Sequence, residues 1–405
     1  MNDSLVKAHI VHPKAHEIIW QNKTYPTNKE IEVTFSDFLK LSRLFNINLL
    51  SINRMDYNPA LFKNQKMFGF TGDADKSSGF GNCTVNLIKH SLNNGYDVRW
   101  IGRANNVPEV SKLSNLPIPL DIGMIWHEQP KSEWLDSPFL KNIAIVPFET
   151  TRIPYSWVKR LNSFDALFVP CKHNVIMMRE SGVRIPIEII YWGVNEEYFP
   201  KLERNNSTFN FGHFGALSKR KGTDILVDAF QKAFPIRTFK DVRLKMRTSN
   251  WHYNFMAHDY RIEVGMGPLA QGSPELLDYY KQIDIFVFPT RGEGFGLPPL
   301  EMMSTGIPVI VTGWSGTVDY TNKNNGWLLD YKLVPADDFT KNIYKEDCGS
   351  WAEPNIDDLI EKMRYAYNHQ DEVKKKGDYA AQFVRDNWTW ENKIHMFHDA
   401  LKLHL

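Results

Sequence analysis

The stretch PTRGEGFGLPPLEMMSTGIPVIV, Pro289 to Val311, sets two glutamates, Glu293 and Glu301, around a glycine-rich loop that opens a helix. Ahead of it, IDIFVF (Ile283 to Phe288) is a short apolar run with β-branched and aromatic residues, the pattern of a strand buried on both faces of a sheet. IPVIVT (Ile307 to Thr312) is a second such run behind it. The segment between must cross over. A first helical turn tolerates Pro298 and Pro299, and Gly306 stops a helix, so the spacing predicts a short helix over residues 298–305. Its N-terminus would carry unpaired N–H groups and the positive end of a dipole, while Gly294 and Gly296, beside Phe295 and Leu297, let the backbone approach an anion. On the loop, Glu293 suits sugar hydroxyls; in the first helical turn, Glu301 is favoured by the dipole and suits a ribose diol. The plainer reading is a tight turn followed by a helix-start glutamate.

Three regions follow along the chain. Residues 1–64 hold a short strand at His9 to Val11, then EIIWQNKTYP and EIEVTF, whose alternation predicts a hairpin, then FSDFLKLSRLF at helical spacing. This extension reads as a packing appendage, or else as an acceptor-recognition or docking element. Residues 65–200 begin with a strand at MFGFTG (Met67 to Gly72) and a polar loop, DADKSSGFG, in which Gly79 and Gly81 precede a helix over residues 82–94 closed by Gly95. YDVRWIG completes a strand–loop–helix–strand unit of the doubly wound kind. Two more strands, IGMIW and IAIVPF, run toward His127 and Glu149, and in open α/β sheets such strand ends face the ligand crevice. His127 is read two ways, as a strand-end polar residue or as a catalytic one.

From about residue 206 to 384 a second unit repeats the pattern. FNFGHFG is a strand ending near Gly215, SKRKG a loop, and TDILVDAFQKAF a helix with one apolar face. Arg220 and Lys221 stand just before that helix, where a diphosphate would meet two cations and a helix dipole together; the alternative is a solvated charge run. The C-terminal run of residues 385–405 reads as an amphipathic helix, and its His395, His398 and His404 as surface or packing residues.

With FGHFGALSKRKGTDILVDAF (Phe211 to Phe230), SPELLDYYKQIDIFVFPT (Ser273 to Thr290), the quoted glutamate motif and GWSGTVDY (Gly313 to Tyr320), the chain resembles the retaining GT-B glycosyltransferases of glycosyltransferase family 4 from about Met67 to the C-terminus. The resemblance implies an α/β fold of two Rossmann-like doubly wound domains facing across a cleft, with the last helix packing back on the first domain. It implies metal-independent transfer of a sugar, with retention, from a UDP- or GDP-linked donor to a hydroxyl acceptor. Lys221 and Arg220, with the amides around Gly296 and Leu297, would then serve the leaving diphosphate, Glu293 the sugar ring and Glu301 the ribose. Gly267 and Leu269, flanking Pro268, would wall the nucleobase, and the Gly79–Gly81 loop would lie across the cleft. Two positions depart from the pattern. Many relatives have histidine where Glu149 falls, and most have arginine after the glycine of the strand where Ala216 follows Gly215. Glu149 is therefore read as positioning hydroxyls or as assisting proton transfer, and Arg220 or Lys219 as standing in for the missing arginine. The remaining readings are an inactive nucleotide-sugar binder and a GT-B phosphorylase or epimerase.

Composition bounds the partners. At 405 residues the chain suits two domains, and its net charge of +1 gives no global basic field for nucleic acid. The three cysteines, Cys83, Cys171 and Cys348, lie far apart without metal-ligand spacing, as expected of free thiols in a reducing compartment. Neither a signal-peptide core nor a membrane-length apolar run is read, so a cytoplasmic protein is expected. Glycan, lipid-linked glycan, protein and modified nucleic acid stand as acceptors. A faint likeness of the first region to tailed-phage virion modules keeps DNA and virion components among them.

Overall fold

Apolar runs without alternation become the inner strands of two parallel sheets, and these sheets set the functional residues in place. The computed structural model describes residues 5–11, 17–20, 23–26, 29–34, 46–52, 66–74, 78–101, 107–115, 123–127, 129–131, 139, 141–248, 259–267, 269 and 271–405. In the first region, β1 (Leu5–Val11), β4 (Glu30–Thr34) and β5 (Asn46–Ile52) form an antiparallel sheet in the order β4-β1-β5. β2 (Glu17–Trp20) and β3 (Lys23–Pro26) pair with each other. EIIWQNKTYP therefore closes on itself, and EIEVT pairs with β1 instead of with EIIW. Gln21 and Asn22 leave a two-residue connection, the shortest that closes a hairpin, so the local pairing wins. The helix expected in FSDFLKLSRLF lies outside the described residues.

The next sheet contains β6 (Met67–Gly72), β7 (Asp97–Ile101), β8 (Gly123–His127), β9 (Lys141–Ile145), β10 (Ala166–Val169) and β11 (Ile187–Ile189). All six are parallel, in the order β11-β10-β9-β8-β6-β7. The other contains β12 (Phe209–Phe214), β13 (Val242–Thr248), β14 (Ile262–Met266), β15 (Ile285–Phe288), β16 (Val309–Thr312) and β17 (Gly326–Leu329), again all parallel, in the order β14-β13-β12-β15-β16-β17. Each order reverses direction once, between β6 and β8 in the first sheet and between β12 and β15 in the second. Ligands of open α/β sheets bind at such switch points. Gly72 and His127 stand at the first, Gly215 and the Pro289–Gly296 loop at the second.

Helix ends follow local capping chemistry. The helix expected over residues 82–94 begins earlier and spans Gly79–Asn93, because the Ser78 side chain accepts a hydrogen bond from the Gly81 amide and caps it. Gly79 and Gly81 thus lie in its first turn and not in a preceding loop. The helix expected over residues 298–305 spans Leu297–Ser304, with Gly296 as its cap at φ +90°.

Two features join the sheets. The helix Trp390–His404 packs on Gly79–Asn93, with Phe397 edge-on to Phe68 at 5.8 Å and Nε2 of His398 3.0 Å from the Ser91 hydroxyl. A two-stranded ribbon, β18 (Tyr331–Pro335) with β19 (Ser350–Pro354), leans on the first sheet's side. There the Thr151 amide donates to the Ser350 carbonyl, Ser156 donates to Glu346, and Tyr344 packs against Phe148 and Trp157 at 5.4 Å.

Between the sheet ends the contact is direct. A Cβ on Gly292 would stand 1.9 Å from the Glu149 carbonyl oxygen, and one on Gly294 2.5 Å from Pro147. Gly292→Ala is expected to push the sheet ends apart, lowering stability by about 1–3 kcal/mol and raising the radius of gyration in solution scattering. An unchanged scattering curve and melting midpoint would show that the contact is not maintained.

Candidate functional site

The site forms where β12 and β15 separate. After β12 the chain turns at Gly215 (φ +151°), and the helix Thr223–Ala233 starts at Gly222 in the left-handed region. A side chain at Gly222 would strike the Pro289 carbonyl at 1.9 Å, so the loop carrying Arg220 and Lys221 lies flat against the loop that follows β15. Backbone pairing locks the two together: the Arg291 amide donates to the Arg220 carbonyl at 2.7 Å.

Glu293 sits at the centre of this arrangement. It is buried, and its Oε1 accepts from Lys221 Nζ at 2.8 Å, Arg220 Nη1 at 2.9 Å and the Thr290 hydroxyl at 2.9 Å. Arg220 also donates to the Gly292 carbonyl at 2.8 Å, and its Nη2 stands 3.7 Å from Oε1 of Glu149, which the first sheet contributes. Burial pushes the Glu293 carboxyl up, but Lys221 and Arg220 pull it further down, leaving it below its ordinary value. Burial raises Glu149; Arg220 opposes the rise and Glu293 adds to it. Desolvation lowers the Lys221 ammonium, against the pull of Glu293. The site thus sets two basic groups beside one carboxyl held below its ordinary value and one held above it.

Glu301 occupies a different environment. Oε1 accepts from Gln271 Nε2 at 2.6 Å and Oε2 from the Tyr280 hydroxyl at 3.4 Å, with no cation in the set. Burial raises its pKa to about 7, a rise that the Gln271 and Tyr280 hydrogen bonds oppose. Gly267 ends β14 at φ +96°, its carbonyl accepting from Arg247 Nε at 3.3 Å, and Leu269 is partly buried against the core. Pro268 lies outside the described residues. At the other switch point His127 is fully buried, with Nδ1 2.8 Å from the Thr84 hydroxyl and its ring 5.0 Å from that of Phe80. Burial lowers its pKa to about 3, so it is neutral, and Nε2 has no partner among the described residues. The structure therefore gathers Glu293, Lys221, Arg220 and Glu149 around one carboxylate, and gives Glu301 and His127 contacts of their own.

Several supporting residues escaped the sequence reading. Arg291 is buried and forks onto two acids: Nη1 and Nη2 meet Asp224 at 2.9 Å, and Nε and Nη2 meet Glu353 at 2.6 and 2.8 Å. Nη1 also bonds the Lys219 carbonyl. Arg291 thereby fastens the cation loop, the helix after it and the ribbon to the glutamate motif. Ser315, at φ +63°, accepts from the Glu293 amide at 3.0 Å, and Cys171 donates from the first sheet's side to the Gly294 carbonyl at 3.0 Å. Arg291 lies inside the quoted motif and Ser315 inside GWSGTVDY. Their residue types alone carry no sign of these partners.

The family model described as glycosyl transferases group 1 matches residues 208–345, the span that holds Arg220, Lys221, Glu293 and Glu301 but not Glu149. The lipopolysaccharide core biosynthesis mannosyltransferase LpcC of Rhizobium leguminosarum bv. viciae is 31% identical over 240 residues, covering 52% of this chain and 67% of that protein. The chain belongs to the group 1 glycosyltransferase family. The lipopolysaccharide core biosynthesis mannosyltransferase LpsB of Rhizobium meliloti is 36% identical over 211 residues, 46% of this chain and 58% of that protein. Two further curated glycosyltransferases are each covered over 50% of their length, so the chain spans about half the length of most curated relatives it matches. Among solved structures, a glycosyltransferase of Rickettsia africae aligns with a TM-score of 0.63 at 18% identity, covering 84% of this chain and 98% of that one. HepE of Anabaena in complex with UDP-glucose aligns at 0.62 and 12% identity, covering 83% and 99%. These likenesses establish the GT-B fold, two Rossmann-like α/β domains.

Glu301 supplies a pH test of this geometry. Its pKa in the folded chain, about 7, lies above the ordinary 4.5, so folding takes up a proton. The stabilisation tied to that proton is complete below about pH 4.5 and is lost as pH rises through about 7, on the order of 3 kcal/mol across the window. Glu301→Gln should gain stability relative to the parent between pH 5 and 8 in urea titrations. A difference that does not change with pH would show that the carboxyl is not held neutral.

Proposed function

We propose that the chain transfers a sugar, with retention of anomeric configuration, from a nucleoside-diphosphate sugar to a hydroxyl acceptor. The observation that carries this reading is the pairing of Lys221 and Arg220 with Glu293 at the switch point, closed from the other domain by Glu149. Breaking a sugar–phosphate bond leaves a diphosphate that must be stabilised where water is scarce, and fixed cations at a helix start provide that stabilisation. Lys221 and Arg220 would take the leaving diphosphate, with the amides at Gly296 and Leu297; Glu293 would keep both cations aimed and receive sugar hydroxyls. Glu149, biased toward its neutral form beside Arg220, is placed either to bind an acceptor or sugar hydroxyl or to move its proton. Glu301, hydrogen-bonded but without a cation, suits a ribose diol.

The donor class draws support from relatives whose names specify mannosyl transfer and from GT-B structures holding UDP or UDP-glucose. Charge neutralisation is assigned to the two cations, without a metal. Three buried, unpaired thiols, Cys83, Cys171 and Cys348, support work in the cytoplasm. Among the described residues no helix is long and apolar enough to cross a membrane. Ala216, lacking the cation common at that position, favours one rival, a nucleotide-sugar binder without turnover.

Lys221→Ala leaves Arg220 to pair with Glu293 and should keep the fold, while lowering transfer or donor hydrolysis about a hundredfold or more. The assay is release of nucleoside diphosphate from UDP- and GDP-sugars with and without a mixed hydroxyl acceptor pool. Turnover near the parent value would remove Lys221 from the mechanism, and binding without any turnover in the parent would favour the rival.

A further inference from the structure

Along β13 the side chains alternate between a buried row, Val242, Leu244, Met246 and Thr248, and a partly buried row of three cations, Arg243, Lys245 and Arg247. Glu263 on β14 serves the first two: it stands opposite Lys245 in register, 2.6 Å from its ammonium and 3.9 Å from Arg243 Nε. Opposite Arg247 the partner strand carries Gly265. A Cβ there would stand 2.8 Å from Arg247 Nη1, so the missing side chain is what lets the guanidinium lie across β14 and donate from Nε to the Gly267 carbonyl.

Arg247 pairs with no carboxylate among the described residues, and the segment after its strand, residues 249–258, contains no acid in its sequence. The third cation of the row is thus uncommitted. Its place is the C-terminal end of β13, beside Gly215 just past β12, whose amide donates to the Arg247 carbonyl at 3.0 Å. Strand ends on this side of the sheet carry the loops of Arg220, Lys221 and Glu293 in the proposed donor site.

The charge count around Glu293 gives Arg247 a task. Lys221 and Arg220 are already matched by Glu293 and approached by Glu149, so a diphosphate entering that cluster adds negative charge that the cluster's own cations do not balance. With Ala216 at the turn, the next cation along the strand ends is Arg247.

We infer that Arg247 is a further donor-binding residue. The two terminal N–H groups of its guanidinium grip an acceptor group of the nucleoside diphosphate, while Nε holds the Gly267 carbonyl that shapes the nucleoside's wall. The inference rests on the nucleotide-sugar reading of the site. A guanidinium fork suits paired acceptor oxygens, whether of phosphate or of a base edge, and an ammonium reproduces only part of that geometry.

The test is calorimetric titration of UDP, GDP and inorganic pyrophosphate into the parent, Arg247→Ala and Arg247→Lys. Removing a charge-assisted contact should weaken nucleoside diphosphate binding about tenfold or more in Arg247→Ala, with partial recovery in Arg247→Lys. An equal loss for pyrophosphate places the contact on phosphate; a loss confined to UDP or GDP places it on the nucleoside. Should Arg247→Ala melt below the parent without ligand, Arg247→Lys carries the comparison. Binding within about twofold of the parent in the folded variants would overturn the inference while leaving the donor site intact. A parent that binds none of the three would instead overturn the nucleotide-sugar reading itself.

Discussion

A single buried carboxylate, Glu293, organises this end of the molecule. Three donors converge on one of its oxygens, two of them cationic, and its own amide is held by Ser315. A buried ion pair is weak evidence for stability, because desolvation offsets much of the attraction. What the arrangement provides is position. Lys221 and Arg220 come from a loop after β12, Thr290 and Glu293 from a loop after β15, and neither loop has regular backbone pairing of its own. Shared charge and hydrogen bonds fix the side chains relative to one another before any ligand arrives, the preorganisation that electrostatic catalysis requires.

Arg291 extends the same constraint outward. Its two acid partners sit on the helix after the cation loop and on the ribbon, so the guanidinium fastens three segments that are distant in sequence. The ribbon in turn rests on the first sheet through Thr151, Ser156 and Tyr344. With Gly292 and Gly294 pressed against Pro147 and Glu149, the sheet ends meet at the cluster itself. The site is an interface between domains, which is why Glu149 and Arg220 can approach each other at all.

How much of this was legible in the sequence depends on the range of the forces involved. Strands such as IFVF and VIVT and the helix after Gly296 follow from apolar runs, proline and glycine, and they appear within two residues of their expected limits. The placing of Lys221 and Glu293 on loops that follow strands was likewise readable, since each motif comes directly after an apolar run. Three things were not. The early start of the helix Gly79–Asn93 turned on a serine side chain bonding one amide. The first region's pairing turned on which of two closures is shorter. The partners of Arg291 and Arg247 depend on a strand register that no local pattern encodes. The sequence puts Glu301 in a first helical turn where the dipole favours its charge, but it lies beyond that turn and burial raises it to about 7, while Glu293 lies low beside two cations. Only the three-dimensional environment separates them.

The helix Trp390–His404 covers Gly79–Asn93, and Ser91 meets His398 across 307 residues of chain. Contacts of such separation form late and slow folding. During synthesis the first Rossmann-like unit therefore leaves the ribosome with Phe68 and Tyr96 lacking their final cover, and it waits uncapped while the second unit is made. Assembly of the earlier domain is governed by a segment made only after the whole second unit, so a nascent chain arrested before Trp390 would present an apolar face to chaperones.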